Sequence, residues 1–464
     1  TAAVVILCCC SAILFSLVLL TGKSVEVLTD QILFVWEQWW TFFFHQLRIR
    51  SIAEWLFFFM PFYIFGEFPR YVLPVFVLLF LKLTGKGKDP VEEKKRFLDR
   101  KPSVSVLLVG YNEEASVTRA IDSLLETGYD DIEIIVVDDH SEDRMYEAAL
   151  PYQQKGLIKL FKNTAASGRS GRPSTSNMAL RLSSGDFILS VDADTSFDRD
   201  MLLHMIGPFY DPGVGCVAGN LKVRNADASL WARFQAVEYA LSIGLWKRWL
   251  NIMGMNMQAS GAFGAFRRTA LTEVGGWDPE LAEDADLSMK IKKAGWKIVF
   301  APRAIAMTNA PETRRTLTHQ RFRWDMSALR TFYRKHGDIL KFWRFEWRNA
   351  VELSLEFFFT IFLTLLYMVY LTVMVIWFPM ILLFVLLVTY VVYFCTTLVT
   401  FAVHLLFSER RAEEWRLIFT LPLFPVYKSY IRWVRFFSIL LELFRLNYED
   451  SYLPASAWRN TDKW

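Results

Sequence analysis

Apolar runs long enough to cross a bilayer lie near the amino end of this chain. Residues 2–20 are uncharged and apolar, close to the roughly 20 residues that a helix needs to span the hydrocarbon layer. Residues 31–47 mix tryptophan and phenylalanine with polar side chains and predict an interfacial segment, and residues 52–83 predict one span that is kinked at its prolines. A dense group of lysines and arginines follows between residues 82 and 101. This positive-inside signal predicts a cytosolic location for the domain that comes next.

The carboxyl-terminal part of the chain has a similar apolar character. Residues 353–377 and 380–406 predict two spans that form a hairpin around Pro379. The basic aromatic stretch at 326–350 precedes them and predicts an interfacial helix beneath anionic headgroups. Residues 417–443 are apolar but contain prolines and basic residues, so they predict a helix that is partly interfacial or lines a polar cavity.

Between these ends, short apolar runs alternate with helical stretches. The predicted strands are 104–109, 132–137, 157–161 and 186–191, and a helix is predicted from Asn112 to Leu125. Strands separated by helices form right-handed βαβ units with a parallel sheet, and ligands bind at the carboxyl ends of such strands. The sequence therefore predicts an α/β domain whose site lies where the apolar strands end.

The composition supports a membrane protein with a water-soluble centre. Of the 464 residues, 53% are hydrophobic, which is too apolar for a wholly soluble chain of this size. The net charge of +4 implies no nucleic-acid partner. The five cysteines show no metal-ligand spacing and no disulfide framework, so they are interpreted as lipid-facing or core residues.

Two carboxylates follow the last predicted strand. Asp192 and Asp194 are two residues apart, so on an extended backbone their side chains share one face. Hard oxygen donors of this kind suit a divalent cation that bridges to a diphosphate. A polar turn is the simpler interpretation, but the apolar strand before the pair and a second acidic site upstream favour metal binding.

Asp138 and Asp139 occupy the equivalent position after the second predicted strand. A carboxylate at a strand end can accept hydrogen bonds from a nucleobase or a ribose, and it can equally cap the next helix. Both interpretations stay open for Asp138, and a nucleotide contact is favoured for Asp139.

Glu283-Asp284 begins a predicted helix, where acidic residues often only compensate the helix dipole. A general base would also need a carboxylate in a partly dry pocket. The residues alone do not separate these two interpretations.

Residues 320–324 combine an amide, guanidinium groups and an indole. Gln320, Arg323 and Trp324 share one helical face, which can bind a diphosphate and stack on a sugar ring. An interfacial arginine–tryptophan anchor is the alternative, and only the combination with the upstream acids favours a functional role.

With these fragments in this order, the chain resembles the processive, membrane-integrated family-two glycosyltransferases, which include cellulose, hyaluronan, chitin and poly-N-acetylglucosamine synthases. The resemblance extends from Val104 to Trp324 and includes the flanking membrane pattern. Residues 214–219, 260–268 and 283–288 are most similar to the poly-β-1,6-N-acetylglucosamine synthases. The fold implied is a GT-A-type, Rossmann-like cytosolic domain inserted between transmembrane and interfacial helices.

The resemblance implies a role for each residue that matches the family's motifs. Tyr111, Glu113 and Asp139 would contact the uridine of the donor. The other implied roles are donor binding for Asp192, Gln320 and Arg323, binding of Mg²⁺ or Mn²⁺ for Asp192 and Asp194, general base for Asp284, and acceptor binding for Ser260, Gly261 and Trp324.

One position departs from the family's pattern. Those synthases usually have Gly-Lys before the helix that precedes the metal motif, and this chain has Gly171-Arg172. Arginine can still bind a phosphate, but the departure leaves the sugar preference open.

The predicted organisation assigns six segments in chain order. They are amino-terminal transmembrane and interfacial helices (1–83), the glycosyltransferase domain (100–325), an interfacial helix (326–350), a transmembrane hairpin (351–407), an interfacial or transmembrane segment (417–446) and a tail that matches nothing assignable (447–464).

The resemblance implies an inverting, processive transferase in the plasma or inner membrane. It would polymerise a β-linked exopolysaccharide from UDP-GlcNAc or UDP-glucose on the cytosolic face and pass the chain across the membrane. Its implied partners are the UDP-sugar, the growing polysaccharide and membrane lipids, and the resemblance allows for an accessory membrane subunit. Two alternatives stay open. One is a non-processive transferase acting on a polyprenyl phosphate, and the other is a channel or scaffold with a degenerate nucleotide-binding domain.

Overall fold

The computed structural model describes residues 60–444 apart from 86–89, 165–168, 257 and 281, and it also describes residues 30, 34, 37 and 41. The predicted span at 2–20, most of the segment at 31–47, the start of the span at 52–83 and the tail from 447 lie outside the described residues. The chain divides into two units, one of Gly66–Met368 with Val392–Trp464 and one of Thr1–Phe65 with Val369–Val391. The first of these units contains the α/β domain and every candidate site residue.

A mixed eight-stranded sheet forms the centre of this unit, in the order β3-β2-β1-β4-β7-β6-β8-β5. The strands are β1 (Val104–Gly110), β2 (Ile132–Asp138), β3 (Lys159–Lys162), β4 (Phe187–Asp192), β5 (Ser196–Phe197), β6 (Val214–Val223), β7 (Phe263–Arg267) and β8 (Lys297–Thr308). The four predicted strands are confirmed as β1 to β4, with ends that differ by one or two residues. As predicted, β1 pairs in parallel with both β2 and β4.

The apolar sequence of β1 explains its central place in the sheet. All seven of its residues are buried, because helices cover both faces of a parallel sheet. The antiparallel pairing of β7 with β4 and β6 extends the sheet on the other side. This half of the sheet carries the segment 259–261 and the long strand β8 into the same region as the end of β4.

The helices of the described residues are, in chain order, α1 (Leu73–Thr84), α2 (Val91–Leu98), α3 (Val117–Leu125), α4 (Met145–Gln154), α5 (Arg172–Leu182), α6 (Met201–Ile206), α7 (Leu230–Tyr239), α8 (Lys247–Met253), α9 (Arg268–Glu273), α10 (Glu283–Lys293), α11 (Arg314–Ala328), α12 (Trp347–Glu356), α13 (Leu363–Trp377), α14 (Pro379–Phe407), α15 (Arg411–Glu414) and α16 (Phe424–Leu443). Segments of π-helix are Tyr63–Val72, Ala240–Trp246, Leu329–Lys335 and Phe357–Phe362, and segments of 3₁₀-helix are Gly207–Tyr210, Gly337–Leu340 and Trp415–Leu423.

The helix expected from Asn112 begins only at Val117. Asn112 has a left-handed backbone conformation, with φ of 57°. The residues that follow it form a turn in which Ser116 and Val117 both donate backbone hydrogen bonds to the Glu113 carbonyl. This turn directs Glu113 towards the acids at the end of β4.

Three helices in the described part of the chain are long and apolar enough to cross a membrane, namely Tyr63–Thr84, Trp347–Trp377 and Val385–Phe407. The spans predicted at 52–83, 353–377 and 380–406 overlap them. Where one interfacial helix is expected at 326–350, the chain instead forms the end of α11, a π-helix, a short 3₁₀-helix and the start of α12.

The Glu133 carboxylate connects β2 to the strands on either side. It accepts hydrogen bonds from Ser105 on β1, from Ser184 and Gly185 before β4, and from Lys159 Nζ on β3. Burial alone would raise the pKa of Glu133, but these donors together lower it to about 2. A carboxylate whose pKa is lower in the folded protein stabilises the fold above its unfolded pKa.

We expect Glu133→Gln to lower stability at pH 7 by about 1–2 kcal/mol, after allowance for solvent screening of a partly exposed group. The deficit should shrink as the pH falls from about 4.5 towards about 2, because the wild-type stabilisation is lost over that range. Thermal melting in detergent, followed by tryptophan fluorescence, measures both effects. Glu126→Gln, at an exposed position just after α3, is the control, and a deficit equal at pH 7 and pH 3 would contradict the assignment.

Candidate active site

The carboxyl ends of β2 and β4 flank the end of β1. In the sheet register Gly110 pairs with Asp138, and Val109 pairs with Asp192. The two acidic strand ends therefore lie at the same edge, as the parallel sheet predicts. Asp138 is buried there, and its Oδ1 accepts a hydrogen bond from the Ser141 N–H at 2.9 Å. This bond closes the turn after β2, whereas α4 begins only at Met145 and has no side-chain cap, so the nucleotide contact of Asp138 stays a prediction.

Asp139 holds the loop that leads into α5. Its Oδ1 accepts hydrogen bonds from Asn163 Nδ2 at 2.8 Å and from the Ser170 N–H at 3.1 Å. Its Oδ2 accepts the Gly171 N–H at 2.9 Å. Asp139 thus fixes the backbone immediately before Arg172, and its contact with a nucleotide stays a prediction.

Tyr111 contacts this loop, and Glu113 lies near the acids of β4. The guanidinium of Arg169, in the loop, lies over the Tyr111 ring at 4.0 Å from its centroid. Burial raises the pKa of Glu113, and the neighbouring carboxylates of Asp194 and Asp192 raise it further. Glu113 therefore faces the acids that are candidates for metal binding.

Asp192 and Asp194 lie at the end of β4 and in the turn after it. Burial raises the pKa of Asp192 to about 6, Arg172 opposes that rise, and Asp194 and Asp284 add to it. Asp194 Oδ1 accepts a hydrogen bond from Thr195 Oγ1 at 3.0 Å. Asp192 is therefore close enough to Asp194 and Asp284 for their charges to affect it. The candidate metal ligands and the candidate base thus lie in one site.

Arg172, the first residue of α5, spans this group of acids. Its Nη2 lies 2.7 Å from Asp192 Oδ1, and its Nη1 lies 2.9 Å from Glu283 Oε1. Nη2 also donates a hydrogen bond to the Gly261 carbonyl. Burial raises the pKa of Glu283 to about 7, although Arg172 opposes the shift.

Asp284 lies at the start of α10 and touches the segment predicted to bind the acceptor. Its Oδ2 accepts the Gly261 N–H at 2.9 Å, and its Oδ1 accepts the N–H of Ala285 at 2.7 Å. Ser288 donates to the Asp284 carbonyl and accepts the Ala259 N–H. Ser260 lies inside this connection and forms a single β-bridge with Phe263. The start of α10 is therefore fixed to residues 259–261 through side-chain and backbone hydrogen bonds.

Residues 320–324 all lie on α11, and the environments of Arg321 and Trp324 are not predicted by the sequence. Arg321 is buried and pairs with Glu238 on α7, with Nη2 2.8 Å from Oε2. Its guanidinium also lies 4.5 Å from the centroid of the Trp324 ring, and Trp324 remains 40% exposed. Tyr427 of α16 donates to the same Glu238 oxygen at 2.6 Å. Arg321 is thus a support beneath the indole.

The other residues of this fragment lie on the same helix. Gln320 Oε1 is buried and has no hydrogen-bond partner among the described residues, whereas Arg323 is half-buried. Burial raises the pKa of the nearby Tyr239 to about 12, and the carboxylates of Glu238 and Asp194 raise it further, whereas Arg321 lowers it. The donor and acceptor roles of the fragment stay predictions.

A cavity of about 250 Å³ lies next to this site. Trp246, Phe332 and Tyr333 contribute aromatic surface to its lining. Lys247 also lines it and donates a hydrogen bond to the Gln258 carbonyl at 3.2 Å. Burial lowers the pKa of Lys247 and Asp284 opposes that shift, which relates the cavity to the candidate base.

The structure therefore brings together Glu113, Asp192, Asp194, Asp284 and Gly261, while Tyr111 and Asp139 face the loop before α5. Sequence reasoning missed Glu238, whose single carboxylate in a helical stretch gives no local signal. It noticed Arg172 only as a departure from a family pattern, since its partner Glu283 lies more than a hundred residues further along the chain.

Known proteins that are similar to this chain in sequence or in fold include glycosyltransferases. Residues 105–275 match the glycosyl transferase family 2. The matched segment lies within the α/β domain. Two similar relatives are poly-β-1,6-N-acetyl-D-glucosamine synthases, from Staphylococcus aureus (strain COL), 31% identical over 261 residues, and from Staphylococcus epidermidis, 32% identical over 240 residues. The matched part covers 53% and 51% of this chain and spans 62% and 57% of those relatives.

The glycosyltransferase domain has the GT-A fold. A mannosyltransferase from Pyrobaculum calidifontis, solved in complex with GDP-Man and Mn²⁺, aligns with a TM-score of 0.50 and 18% sequence identity. The alignment covers 80% of this chain and 99% of that chain. At this identity the likeness concerns the fold, and it confirms the GT-A-type α/β class expected from the sequence.

We expect Glu238→Ala to lower the free energy of unfolding by about 3 kcal/mol, because it leaves the buried Arg321 without its counter-ion. Tyr427→Phe removes one hydrogen bond and should cost about 1 kcal/mol. Thermal melting of the detergent-purified protein measures both, with Glu126→Ala as the exposed control. If Glu238→Ala melted at the same temperature as the wild type, the stability of the buried Arg321 would not depend on this carboxylate.

Proposed function

We propose that the protein is a processive, inverting glycosyltransferase of the cell membrane that uses a UDP-sugar on the cytosolic face and passes a β-linked exopolysaccharide across the bilayer. UDP-GlcNAc is the favoured donor, because the matched relatives are poly-β-1,6-N-acetyl-D-glucosamine synthases, and UDP-glucose is the alternative. The predicted organisation, with a cytosolic domain at 100–325 between membrane segments, belongs to the same proposal. This organisation is supported by three candidate spans in the described part of the chain, of which one precedes the domain in the sequence and two follow it.

The observation that carries the proposal is the meeting of Asp192, Asp194 and Asp284 at the carboxyl edge of the sheet. Arg172 joins Asp192 to Glu283, the residue before Asp284, through the two arms of its guanidinium. Asp284 also accepts a hydrogen bond from Gly261, in the segment expected to bind the acceptor. The groups that we propose to bind donor and acceptor therefore lie within one site, as transfer between two bound sugars requires.

The residues at the end of β4 fit a divalent cation. Asp192 and Asp194 present hard carboxylate oxygens, and their mutual repulsion is the kind of crowding that a bound cation relieves. Among the described residues no set of three acidic, histidine or cysteine side chains is arranged around a metal position. Mg²⁺ commonly keeps waters and substrate phosphates as its other ligands, so two carboxylates suffice. Such an ion, Mg²⁺ or Mn²⁺, would supply charge stabilisation for the departing diphosphate.

The chain's own residues account for the rest of the reaction. Asp284 Oδ2 takes the proton of the acceptor hydroxyl while the hydroxyl oxygen forms a bond to the anomeric carbon of the donor. The bond from that carbon to the diphosphate oxygen breaks, UDP leaves, and the configuration inverts. Gly261 orients Asp284 by donating to the same oxygen. The donor is held by Tyr111, Glu113, Asp139, Gln320 and Arg323, and Trp324 and Ser260 stack on or bind the acceptor.

The adjacent cavity supports a polymeric product. Its lining joins aromatic rings to charges of which most are paired, as in Arg435 with Asp325 at 3.2 Å and Arg70 with Glu356 at 3.5 Å. Aromatic faces bind sugar rings, and paired charges do not hold a neutral chain tightly. This lining suits a neutral polysaccharide that has to move on after each addition.

Membranes that contain the protein should release UDP from UDP-GlcNAc or UDP-glucose and form a labelled polymer. Gel separation of the radiolabelled product, followed by linkage-specific hydrolases, measures this. A polymer ladder supports the proposal, whereas a single lipid-linked sugar would favour transfer to a polyprenyl phosphate. UDP release from neither donor would overturn the proposed function.

Asp284→Asn should lower the rate of polymer synthesis by about 10²–10⁴-fold while UDP binding stays close to that of the wild type. The amide keeps the size of the side chain but cannot accept the proton. Initial rates and UDP titration of the same preparation separate the two effects. Asp227→Asn, at an exposed ion pair with Arg233, is the control, and full activity of Asp284→Asn would reject its role as the base.

Asp194→Ala should weaken Mn²⁺-dependent UDP binding, because one of the two proposed carboxylate ligands is lost. We expect at least a tenfold higher Mn²⁺ concentration at half-saturation, measured by titrating Mn²⁺ at a fixed UDP concentration. An unchanged titration would show that Asp194 is not a ligand.

A further inference from the structure

Arg172 is the counter-ion of Asp192 and Glu283 in the candidate active site. Among the residues that the structure describes, no other lysine, arginine or histidine lies within 4 Å of the carboxylates of Asp192, Asp194, Glu283 or Asp284. Four carboxylates that share one partly buried space repel one another, so their charged forms depend on a nearby cation. In the absence of a donor, the guanidinium of Arg172 supplies that charge.

The guanidinium also packs directly against the segment expected to bind the acceptor. A Cβ placed on Gly261 would lie 2.3 Å from Arg172 Nη1 and 3.3 Å from Asp284 Cβ, so no side chain fits between these groups. With Nη2 only 2.7 Å from Asp192 Oδ1, the oxygen that faces the site is already occupied. A diphosphate with its cation can use that oxygen only after Arg172 has moved away from it.

Arg172 is connected to the predicted nucleotide end of the site through its own backbone. Gly171, which has a left-handed φ of 81°, donates its N–H to Asp139 Oδ2. The side chain that begins one residue later reaches Asp192. A nucleotide that contacts Asp139 therefore acts on the segment that positions the guanidinium.

We propose that Arg172 is an exchangeable counter-ion. It holds Asp192 and Glu283 while the site has no donor, and it transfers one arm of its guanidinium from Asp192 to the diphosphate when a nucleoside diphosphate and a divalent cation bind. This inference rests on the proposed function for the identity of the incoming groups. Arginine suits the task better than lysine, because its planar fork can keep Glu283 with one nitrogen while the other changes partner from carboxylate to phosphate.

The exchange predicts opposite effects on two ligands. Without the guanidinium, Asp192 is free, so Arg172→Ala should bind Mn²⁺ more tightly in the absence of nucleotide, by roughly tenfold. The same variant should bind UDP more weakly at saturating Mn²⁺, again by roughly tenfold, because a charged phosphate contact is lost. A residue that only maintains the local fold would weaken both.

The experiment uses the full chain purified in detergent. MnCl₂ alone is titrated and the free ion is followed by its electron paramagnetic resonance signal, and UDP is then titrated at saturating Mn²⁺ by calorimetry. Arg233→Ala, which removes an exposed guanidinium outside the site, is the matched control and should match the wild type in both titrations. Arg172→Lys should change both affinities in the same directions as Arg172→Ala but less, and it serves as the test if the alanine variant does not melt cooperatively.

An affinity for Mn²⁺ that is unchanged or lower in a folded Arg172 variant would overturn the inference. This result is distinct from failure of the proposed function. The Mn²⁺ titration requires no turnover, whereas the proposed function fails if wild-type membranes release no UDP from either donor.

Discussion

The gathering of negative charge at one edge of the sheet is the constraint to which the rest of the site is adapted. Asp192, Glu283 and Asp284 come from segments about ninety residues apart, and Asp192 and Glu283 have pKa values raised by burial, to about 6 and about 7. Holding such carboxylates close together is unfavourable unless a cation accompanies them. The same arrangement makes the site receptive to an incoming cation and its diphosphate. Arg172 stabilises the donor-free site at the expense of the contact that a donor later needs.

Acids can be concentrated at this edge because the surrounding structure holds it in place. Beneath the site, β1 is buried along its whole length and sets the register of the strands beside it. On the other side of the domain, Glu414 accepts hydrogen bonds from Lys222 of β6 and from His404 near the end of α14, and Arg410 pairs with Asp198. These contacts connect the sheet to the end of an apolar helix that is long enough to cross a membrane.

The parts of the fold that could be predicted are those with a local signal. Apolar runs separated by helical stretches predicted β1 to β4, and they also predicted that the acidic ends of β2 and β4 lie at the same edge of the sheet. The antiparallel pairing of β7 between β4 and β6 has no such signal, because it depends on contacts between segments far apart in the chain. For Asp284 the sequence left two interpretations, a helix-start acid and a base in a pocket. In the structure these are compatible, since one oxygen accepts the N–H of Ala285 while the other faces Gly261.

Arg172 and Arg321, whose ion pairs the sequence did not predict, show why charge partners are hard to infer from sequence. Arg172 and Arg321 each pair with a carboxylate that is distant in the sequence, and the helical spacing around them says nothing about that partner. Their surroundings nevertheless differ in a way that separates function from support. Arg321 is buried, its partner Glu238 also accepts the hydroxyl of Tyr427, and its guanidinium lies beneath the Trp324 ring, so this arginine is part of the framework of the domain. The Asp192 carboxylate that Arg172 binds is about one-third exposed, and solvent or a ligand can compete for it. Arg172 is itself only half-buried, so a ligand can reach the guanidinium as well as its partner, whereas the buried guanidinium of Arg321 supports the structure beneath Trp324.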